Sequence, residues 1–408
     1  MLHLPQNVAF IIEKMNKSGE RADIVGGCVR DYLLGKAPSD YDLTTSASPE
    51  MTKEIFSDCR TIDTGIKHGT VTLMLDGEPY EITTYRIDGE YKDNRHPESV
   101  TFSKNIEDDL SRRDFTMNAI AYNPTDGLTD PFGGREDIER ELIRAVGNAK
   151  VRFTEDALRI LRGVRFSSTL GFTIEKDTAS AIKECRELLK NVSAERIFVE
   201  WKKLILGKNA VSVLSEYIDV FAVFLPELSS LDTAKIAGFD NLTLQEHNIM
   251  LFFLAGVTPD GFAAAMHRLK TDNDFRLHGK RTLECLVSLD DGSPKISLEL
   301  IHGVDINLML LARIYGKEAA HSALKILTAL DRLELSDLPE RLMRNIESGL
   351  PYRISDLAVN GNDLAKLGIS GKDIGKTLDY LLLMVIGLKV ENKKSHLIRY
   401  AKSMYDIK

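Results

Sequence analysis

Cysteine is scarce and scattered in this chain. Cys28, Cys59, Cys185 and Cys285 are its four, and no two of them form a C-x-x-C pair. That spacing excludes a structural zinc site and a disulfide framework, and the four are expected to be buried free thiols. Long apolar runs are also missing, since none approaches the roughly 18 residues of a membrane span. The N-terminus, MLHLPQNVAFIIEKMNK, has no basic start and no small-residue cleavage site, and Glu13 and Lys14 break its apolar run. It reads as an amphipathic helix of a protein that stays in the cytoplasm, with no membrane partner. An excess of positive charge is absent too. With 53 Lys and Arg against 61 Asp and Glu, the net charge is −8. Such a chain is not coated in nucleic-acid-binding charge, although a local basic face is compatible with it.

What is present is length and a change of character along it. A chain of 408 residues exceeds one ordinary core, so two to four domains are expected. ADIV (22–25), YDLTT (41–45), TVTLML (70–75) and PYEITTYR (79–86) read as strands, and DGEP (76–79) as a hairpin turn. CVRDYLLG (28–35) and PEMTKEIF (49–56) have helical spacing, with Gly35 placed to stop the first. Beyond about residue 140 strand signals nearly vanish and apolar residues recur at three and four spacing. The fold class is therefore α+β, with a small mixed sheet followed by a long all-α remainder.

The stretch VGGCVRDYLLGKAPSDYDLTT (25–45) concentrates chemistry. On a strand, residues i and i+2 share a face, which would set Asp40 beside Asp42 and turn Tyr41 away. Two carboxylates so close repel unless a cation lies between them, and hard oxygen ligands suit Mg²⁺. Two such ions, roughly 3.5–4 Å apart, can clamp the oxygens of a phosphoryl displacement. Asp-x-Asp alone is a turn or a solvated strand end. Here Gly26 and Gly27 lie just upstream, where backbone N–H groups can approach a phosphate, and Arg30 adds a cation one turn later.

GGCVRD followed by DYD resembles the opening motif of the nucleotidyltransferases that include class II CCA-adding enzymes and bacterial poly(A) polymerases. SRRDFTMNAIAYN (111–123), DPFGGREDI (130–138), RFTEDALRILRGVRF (152–166) and SAERIFVEWKKL (193–204) match in order, and LGISGKDIGKTL (367–378) looks like the family's tail. The resemblance implies a nucleotidyltransferase head over residues 1–140 and a helical neck for base recognition over 141–206. A helical body would follow over 207–350, then a helical tail over 351–408, with body and tail gripping tRNA. It implies addition of CMP, CMP and AMP from CTP and ATP to tRNA 3′ ends, with Mg²⁺ and no obligatory protein partner. The rivals are a poly(A) polymerase, a CC-only or A-only enzyme, and a non-catalytic RNA-binding relative. Many relatives carry an H…HD…D phosphohydrolase signature. No histidine here precedes an aspartate, His247 being followed by Asn248, so no such activity is expected.

By the same resemblance, Arg112, Arg113 and Asp114 contact the ribose and phosphates of the incoming nucleotide, with Asn118 a weaker candidate. An aspartate can accept from ribose hydroxyls, which favours an NTP over a dNTP. EDALRILRGVR reads as one helix on which Arg159, Arg162 and Arg165 form a basic stripe, and Asp156 can pair with Arg159 at i,i+3. The resemblance makes Asp156 and Arg159 a template for the base. Cytosine and adenine each offer an amino donor beside a ring-nitrogen acceptor, which a carboxylate and a guanidinium match. Uracil and guanine present the reverse. Glu155 would orient Arg159, while Arg162 and Arg165 would contact the nucleotide or brace the helix. Glu81, in YEITTYR, is a possible third metal carboxylate. The polar segment 85–102 is expected to be a mobile loop resembling the one that reshapes the base pocket from C to A, with Arg86 and Arg95 as its residues of interest.

Overall fold

The computed structural model describes residues 2–89, 99–236, 241–290 and 304–406. The chain divides into two compact units, Met1–Pro226 and Glu227–Lys408.

The first unit opens with α1 (Gln6–Lys17), which buries Val8, Ile11, Ile12 and Met15 on one face. β1 (Ala22–Val25), α2 (Gly27–Leu33), β2 (Leu43–Thr45), α3 (Pro49–Ile55), β3 (Arg60–Gly65), β4 (Thr70–Leu75) and β5 (Glu78–Thr84) follow. Asp76 and Gly77 both take positive φ, 51° and 85°, and close the β4–β5 hairpin as a two-residue turn. Next come β6 (Arg86–Asp88), β7 (Val100–Phe102), α4 (Ile106–Ser111), β8 (Ala121–Asn123) and β9 (Gly127–Thr129). The main sheet has seven strands in the order β3-β4-β5-β2-β1-β8-β9. It is mixed, because β2 and β5 run parallel while the other pairs are antiparallel.

Segment 85–102 departs from the expectation of a loop at both ends. Arg86 to Asp88 pair antiparallel with Val100 to Phe102, and residues 90–98, Arg95 among them, lie outside the described residues. Tyr85 is fully buried and donates to Asp23 at 2.6 Å, a carboxylate also held by the Arg21 guanidinium. A residue that opens a polar stretch thus belongs to the core.

α5 (Gly134–Glu139), β10 (Leu142–Ile143), α6 (Ala149–Glu155), α7 (Leu158–Leu170), β11 (Thr173–Ile174), α8 (Lys176–Cys185), α9 (Ala194–Ile205), α10 (Ala210–Glu216) and α11 (Ile218–Phe221) complete the first unit. Two corrections arise here. β10 and β11 form a short parallel pair past residue 140. EDALRILRGVR is not one helix, because Asp156, at φ −133° and ψ 103°, breaks it into α6 and α7. The second unit is helical: α12 (Leu244–Leu254), α13 (Pro259–Arg268), α14 (Asn273–Leu289), α15 (Val304–Tyr315), α16 (Lys317–Ala329), α17 (Leu338–Glu347), α18 (Gly361–Ala365), α19 (Lys372–Ile386) and α20 (Lys394–Met404). No helix among the described residues is long and apolar enough to cross a membrane. Cys28 and Cys285 are buried, whereas Cys59 and Cys185 are only half-buried.

DPFGGREDI earns its shape from close packing. Asp130 caps α5 by accepting from the N–H groups of Gly134 at 2.7 Å and Arg135 at 2.9 Å. A Cβ on Gly134 would stand 2.1 Å from the Thr116 carbonyl oxygen. Gly134→Ala is therefore expected to cost about 3 kcal/mol, as overpacking against rigid backbone does. A urea denaturation midpoint equal to that of the parent chain would contradict this.

Candidate active site

A cavity of about 380 Å³ opens in the first unit, between the start of α2, the entry to β2, the 112–118 segment, α7 and α9. Its walls include Gly26, Gly27, Arg30, Asp40, Asp42, Arg112, Arg113, Asp114, Asp156, Arg159 and Arg162, all singled out from sequence. Asn118, Leu158, Phe166 and Arg196 line it as well. Glu81, Glu155 and Arg165 are not part of the wall.

The glycine step is held by backbone conformation. Gly26 caps α2 at φ 80°, and a Cβ there would lie 3.0 Å from Arg113 Nη1. The positive φ favours a residue without a side chain, and any Cβ would have to shift the guanidinium. Arg30 spans from Asp31 to the Asn118 side-chain oxygen, to which Nη1 donates at 2.8 Å.

The aspartates stand just outside the strand on which they were expected. β2 begins at Leu43, and Asp40 to Asp42 immediately precede it, pinned where Val25 N–H donates to the Asp42 carbonyl at 3.0 Å. Tyr41 does turn aside, onto the Tyr32 hydroxyl at 2.9 Å. Desolvation by the cleft walls pushes the Asp42 carboxyl above its ordinary pKa. Arg113 and Arg162 oppose that rise and Asp40 adds to it. The parallel register Leu43↔Ile82 makes Glu81 the next residue in line with Asp42, and its side chain is exposed.

The SRRDF segment is organised by carboxylates. Asp109, fully buried on α4, accepts from Arg112 Nη2 at 2.6 Å and from Arg113 Nη2 at 3.1 Å. Arg113 Nε is buried without a partner. Asp114 accepts from Phe115 N–H at 2.8 Å, Asn118 Nδ2 at 3.0 Å and Arg162 Nε at 2.7 Å, with Arg162 Nη2 at 2.6 Å. Burial would raise its pKa, but Arg162 and Asn118 hold it far below the carboxylate range. The expected ribose acceptor thus already takes three hydrogen bonds and an ion pair from the protein.

The expected i,i+3 pair between Asp156 and Arg159 does not form. Arg159 Nη1 donates to Glu155 Oε2 at 2.8 Å, and its Nη2 to the Arg112 carbonyl at 2.6 Å. Asp156 instead takes Leu158 N–H at 3.1 Å and Arg196 Nη2 at 3.2 and 3.0 Å. The helix break turns the carboxylate away from the α7 stripe, which is why local pairing loses. Arg165 faces Glu200, to which Nε donates at 2.8 Å, and braces α7 against α9.

Residues 22–144 match the poly A polymerase head domain, 171–231 the RNA- and SrmB-binding site of polymerase A, and 243–401 tRNA nucleotidyltransferase domain 2. The CCA-adding enzyme of Ligilactobacillus salivarius is 35% identical over 98% of this chain and 96% of its own. That of Geobacillus kaustophilus is 38% identical over 95% and 94%. The chain belongs to the CCA-adding enzyme family. The crystal structure of the Bacillus stearothermophilus CCA-adding enzyme in complex with CTP superposes with a TM-score of 0.77 at 33% identity, covering 98% of this chain and 97% of that one. The Thermotoga maritima CCA-adding enzyme complexed with tRNA shares the fold, with a TM-score of 0.69 at 20% identity.

Against that family background, the residues missed from sequence are informative. Asp109 lies three and four positions before Arg112 and Arg113, a helical pairing distance that was there to be read. Arg196 and Glu200 sit one turn apart in SAERIFVEWKKL, and their partners, Asp156 and Arg165, lie 40 and 35 residues away. Asp109 also carries a pH signature. Burial opposes its ionisation, yet Arg113 and Arg112 outweigh that and hold its pKa below the ordinary value. A depressed folded-state pKa contributes stability above the unfolded value, about 3.9, that is lost as pH falls through the folded one. Asp109→Asn should therefore lower stability at neutral pH and flatten its decline below about pH 4. Acid unfolding curves of the two proteins that run parallel would refute this.

Proposed function

We propose that this chain adds CMP, CMP and AMP, taken from CTP and ATP, to tRNA 3′ ends without a nucleic-acid template, releasing pyrophosphate. The observation that carries the reading is one cavity shared by the paired aspartates, the glycine step and the Asp156/Arg159 set.

The triphosphate would lie across the Gly26–Gly27 step, with Arg30 and Arg113 turned to its oxygens. Arg113 brings a buried Nε that has no partner of its own. Asp156 and Arg159 would meet the Watson–Crick edge of the base, accepting from the amino group and donating to the ring nitrogen, so that cytosine and adenine fit and uracil and guanine do not. With the base fixed, the α-phosphorus lies in line between the tRNA 3′-hydroxyl and the departing pyrophosphate. The new bond forms to the 3′-oxygen as the bond to pyrophosphate breaks.

Family members generally use a divalent metal, and the donors here fit Mg²⁺. Asp40 and Asp42 supply two hard carboxylates at an open cavity, and the charge of Asp40 already raises the pKa of Asp42. When bound, the ion neutralises charge on the phosphates and lowers the pKa of the attacking hydroxyl. Asp40 and Asp42 would hold it. Glu81, next to Asp42 in register, is the further carboxylate to vary. We assign the head to residues 1–140, the base-recognising neck to 141–206, and tRNA contacts to the body at 207–350 and the tail at 351–408. A cytoplasmic location goes with that substrate.

Two measurements test the reading. tRNAs ending before CCA, in CC and in CCA, and a generic RNA, are each incubated with CTP and ATP and resolved by length. Completion of the first two to CCA with no extension of the others is expected, and long A tracts on generic RNA would overturn it. Asp40→Ala and Asp42→Ala should each reduce incorporation to background while the far-ultraviolet circular dichroism stays unchanged. Substantial Mg²⁺-dependent activity in either would remove them from the metal set.

A further inference from the structure

Phe166 on α7 is buried and edge-on to Phe115, and among the described residues it is the one aromatic side chain in the cavity wall. Three guanidinium groups converge on its ring. The central carbon of Arg165 stands 3.5 Å from the ring centroid, that of Arg30 5.1 Å and that of Arg162 5.5 Å. Arg162 and Arg165 share α7 with the phenylalanine, whereas Arg30 arrives from α2. From this we infer that Phe166 is a positioning residue for the triphosphate, its ring seating the Arg30 guanidinium beside the Gly26–Gly27 step. The inference rests on the proposed reading in which Arg30 meets the triphosphate oxygens.

Like charges gather only where something holds them. Burial depresses the pKa of Arg165, Glu200 opposes that, and the charge of Arg162 depresses it further. Each cation has a carboxylate nearby, Asp31, Asp114 or Glu200, but the group that all three share is the phenyl ring. The face of an aromatic ring carries negative charge density. A guanidinium within about 6 Å of its centroid is attracted to it, most strongly where water is excluded. An aliphatic side chain would fill the space and give the cations no such attraction. Contact with Phe115 explains an aromatic ring at this position; it does not explain three cations around it.

A second observation says what the seat is for. A guanidinium group has five N–H donors. In Arg30, Nε and Nη2 donate to Asp31 Oδ1 at 2.9 and 2.8 Å, and Nη1 donates to Asn118 Oδ1 at 2.8 Å. One N–H on each terminal nitrogen is thus left over among the described residues. A Cβ on Gly27 would lie 3.7 Å from Nη2, so a nitrogen with a donor to spare stands against the glycine step. Asp31 is the next residue along and only partly buried, and cannot by itself fix where that nitrogen points. Asn118 and the ring add two contacts from outside α2, and the donors that remain are free for phosphate oxygens.

The test replaces Phe166 site-specifically by mono-, di- and trifluorinated phenylalanine, with fluorine at the para position, both meta positions or all three. These keep the outline of the ring and withdraw charge density from its face in steps. Incorporation of CMP from CTP into tRNA lacking its CCA end is measured for each, with and without Arg30→Met. The KM for CTP is expected to rise with each fluorine, by about tenfold at three, while kcat stays within about twofold and the preference for CTP over UTP holds. In the Arg30→Met background the series should be flat, because ring and arginine act as one unit. A KM independent of fluorine number, a rise that tracks a falling thermal midpoint, or a full further rise in the Arg30→Met background would overturn the inference. If Arg30→Met itself keeps the parent KM, the triphosphate reading of Arg30 fails and the inference falls with it. Should the trifluorinated chain not fold, the other two carry the test under the same criteria.

Discussion

Asp114 is the point from which the cavity is built. One carboxylate accepts hydrogen bonds from a backbone N–H, an amide and Arg162 Nε, with Arg162 Nη2 at 2.6 Å completing the ion pair. Through Asn118 it reaches Arg30 on α2, and through Arg162 it reaches α7. Phe115, the next residue, is fully buried, edge-on to Phe166 and close enough to Gly163 that a Cβ there would come within 3.1 Å. The α2 side and the α7 side of the cavity are therefore tied to one carboxylate. Breaking a buried pair of this kind costs about 3–5 kcal/mol, while replacing both partners by apolar groups is often neutral. Stability does not call for the ions. A fixed relation between α2 and α7 does.

Much of this was legible because short sequence patterns carry strong local physics. Ala22–Val25 and Thr70–Leu75 are β-branched runs, and Asp76-Gly77 is a turn that few other pairs could make. The alternation in DYD and the glycines before it pointed to residues that line one cavity. What escaped was decided over distance. Nothing in TEDALR announces a break, because alanine and leucine favour helix; the extended Asp156 is held by Arg196, forty residues on. β8 and β9 are three residues each, too short for a pattern to show. Tyr85 looked like the start of a polar loop because its partners, Asp23, Val25 and Leu110, come from elsewhere in the chain.

The second unit shows the same division. Its helices follow from apolar residues at three and four spacing, but the packing includes polar groups that periodicity cannot predict. Glu246, 3% exposed on α12, closes a capping box with Thr243 and also accepts from Ser322 at 2.9 Å and Lys325 at 2.8 Å on α16. His278 on α14 joins at 3.3 Å from Ser322, and burial lowers its pKa. Satisfied polar networks of this kind favour one packing of α12, α14 and α16 over the several that apolar faces alone permit. His278 is thereby absorbed into the contacts between helices.

The charge of the site resolves an apparent conflict in the composition. Six arginines line the cavity, which a chain of net charge −8 does not advertise. Each is tied to a carboxylate: Arg30 to Asp31, Arg112 and Arg113 to Asp109, Arg159 to Glu155, Arg162 to Asp114 and Arg196 to Asp156. The cluster is therefore not a naked positive field, and it would attract any polyanion only weakly. What it offers is direction. Guanidinium groups locked by a carboxylate on one edge present their remaining N–H groups at fixed angles on the other, at little further entropic cost on binding. A triphosphate entering such a site still brings more negative charge than the walls compensate, and Asp40 and Asp42 add to it. The arginines can orient the substrate, and the cation proposed at Asp40 and Asp42 would supply the remaining charge balance.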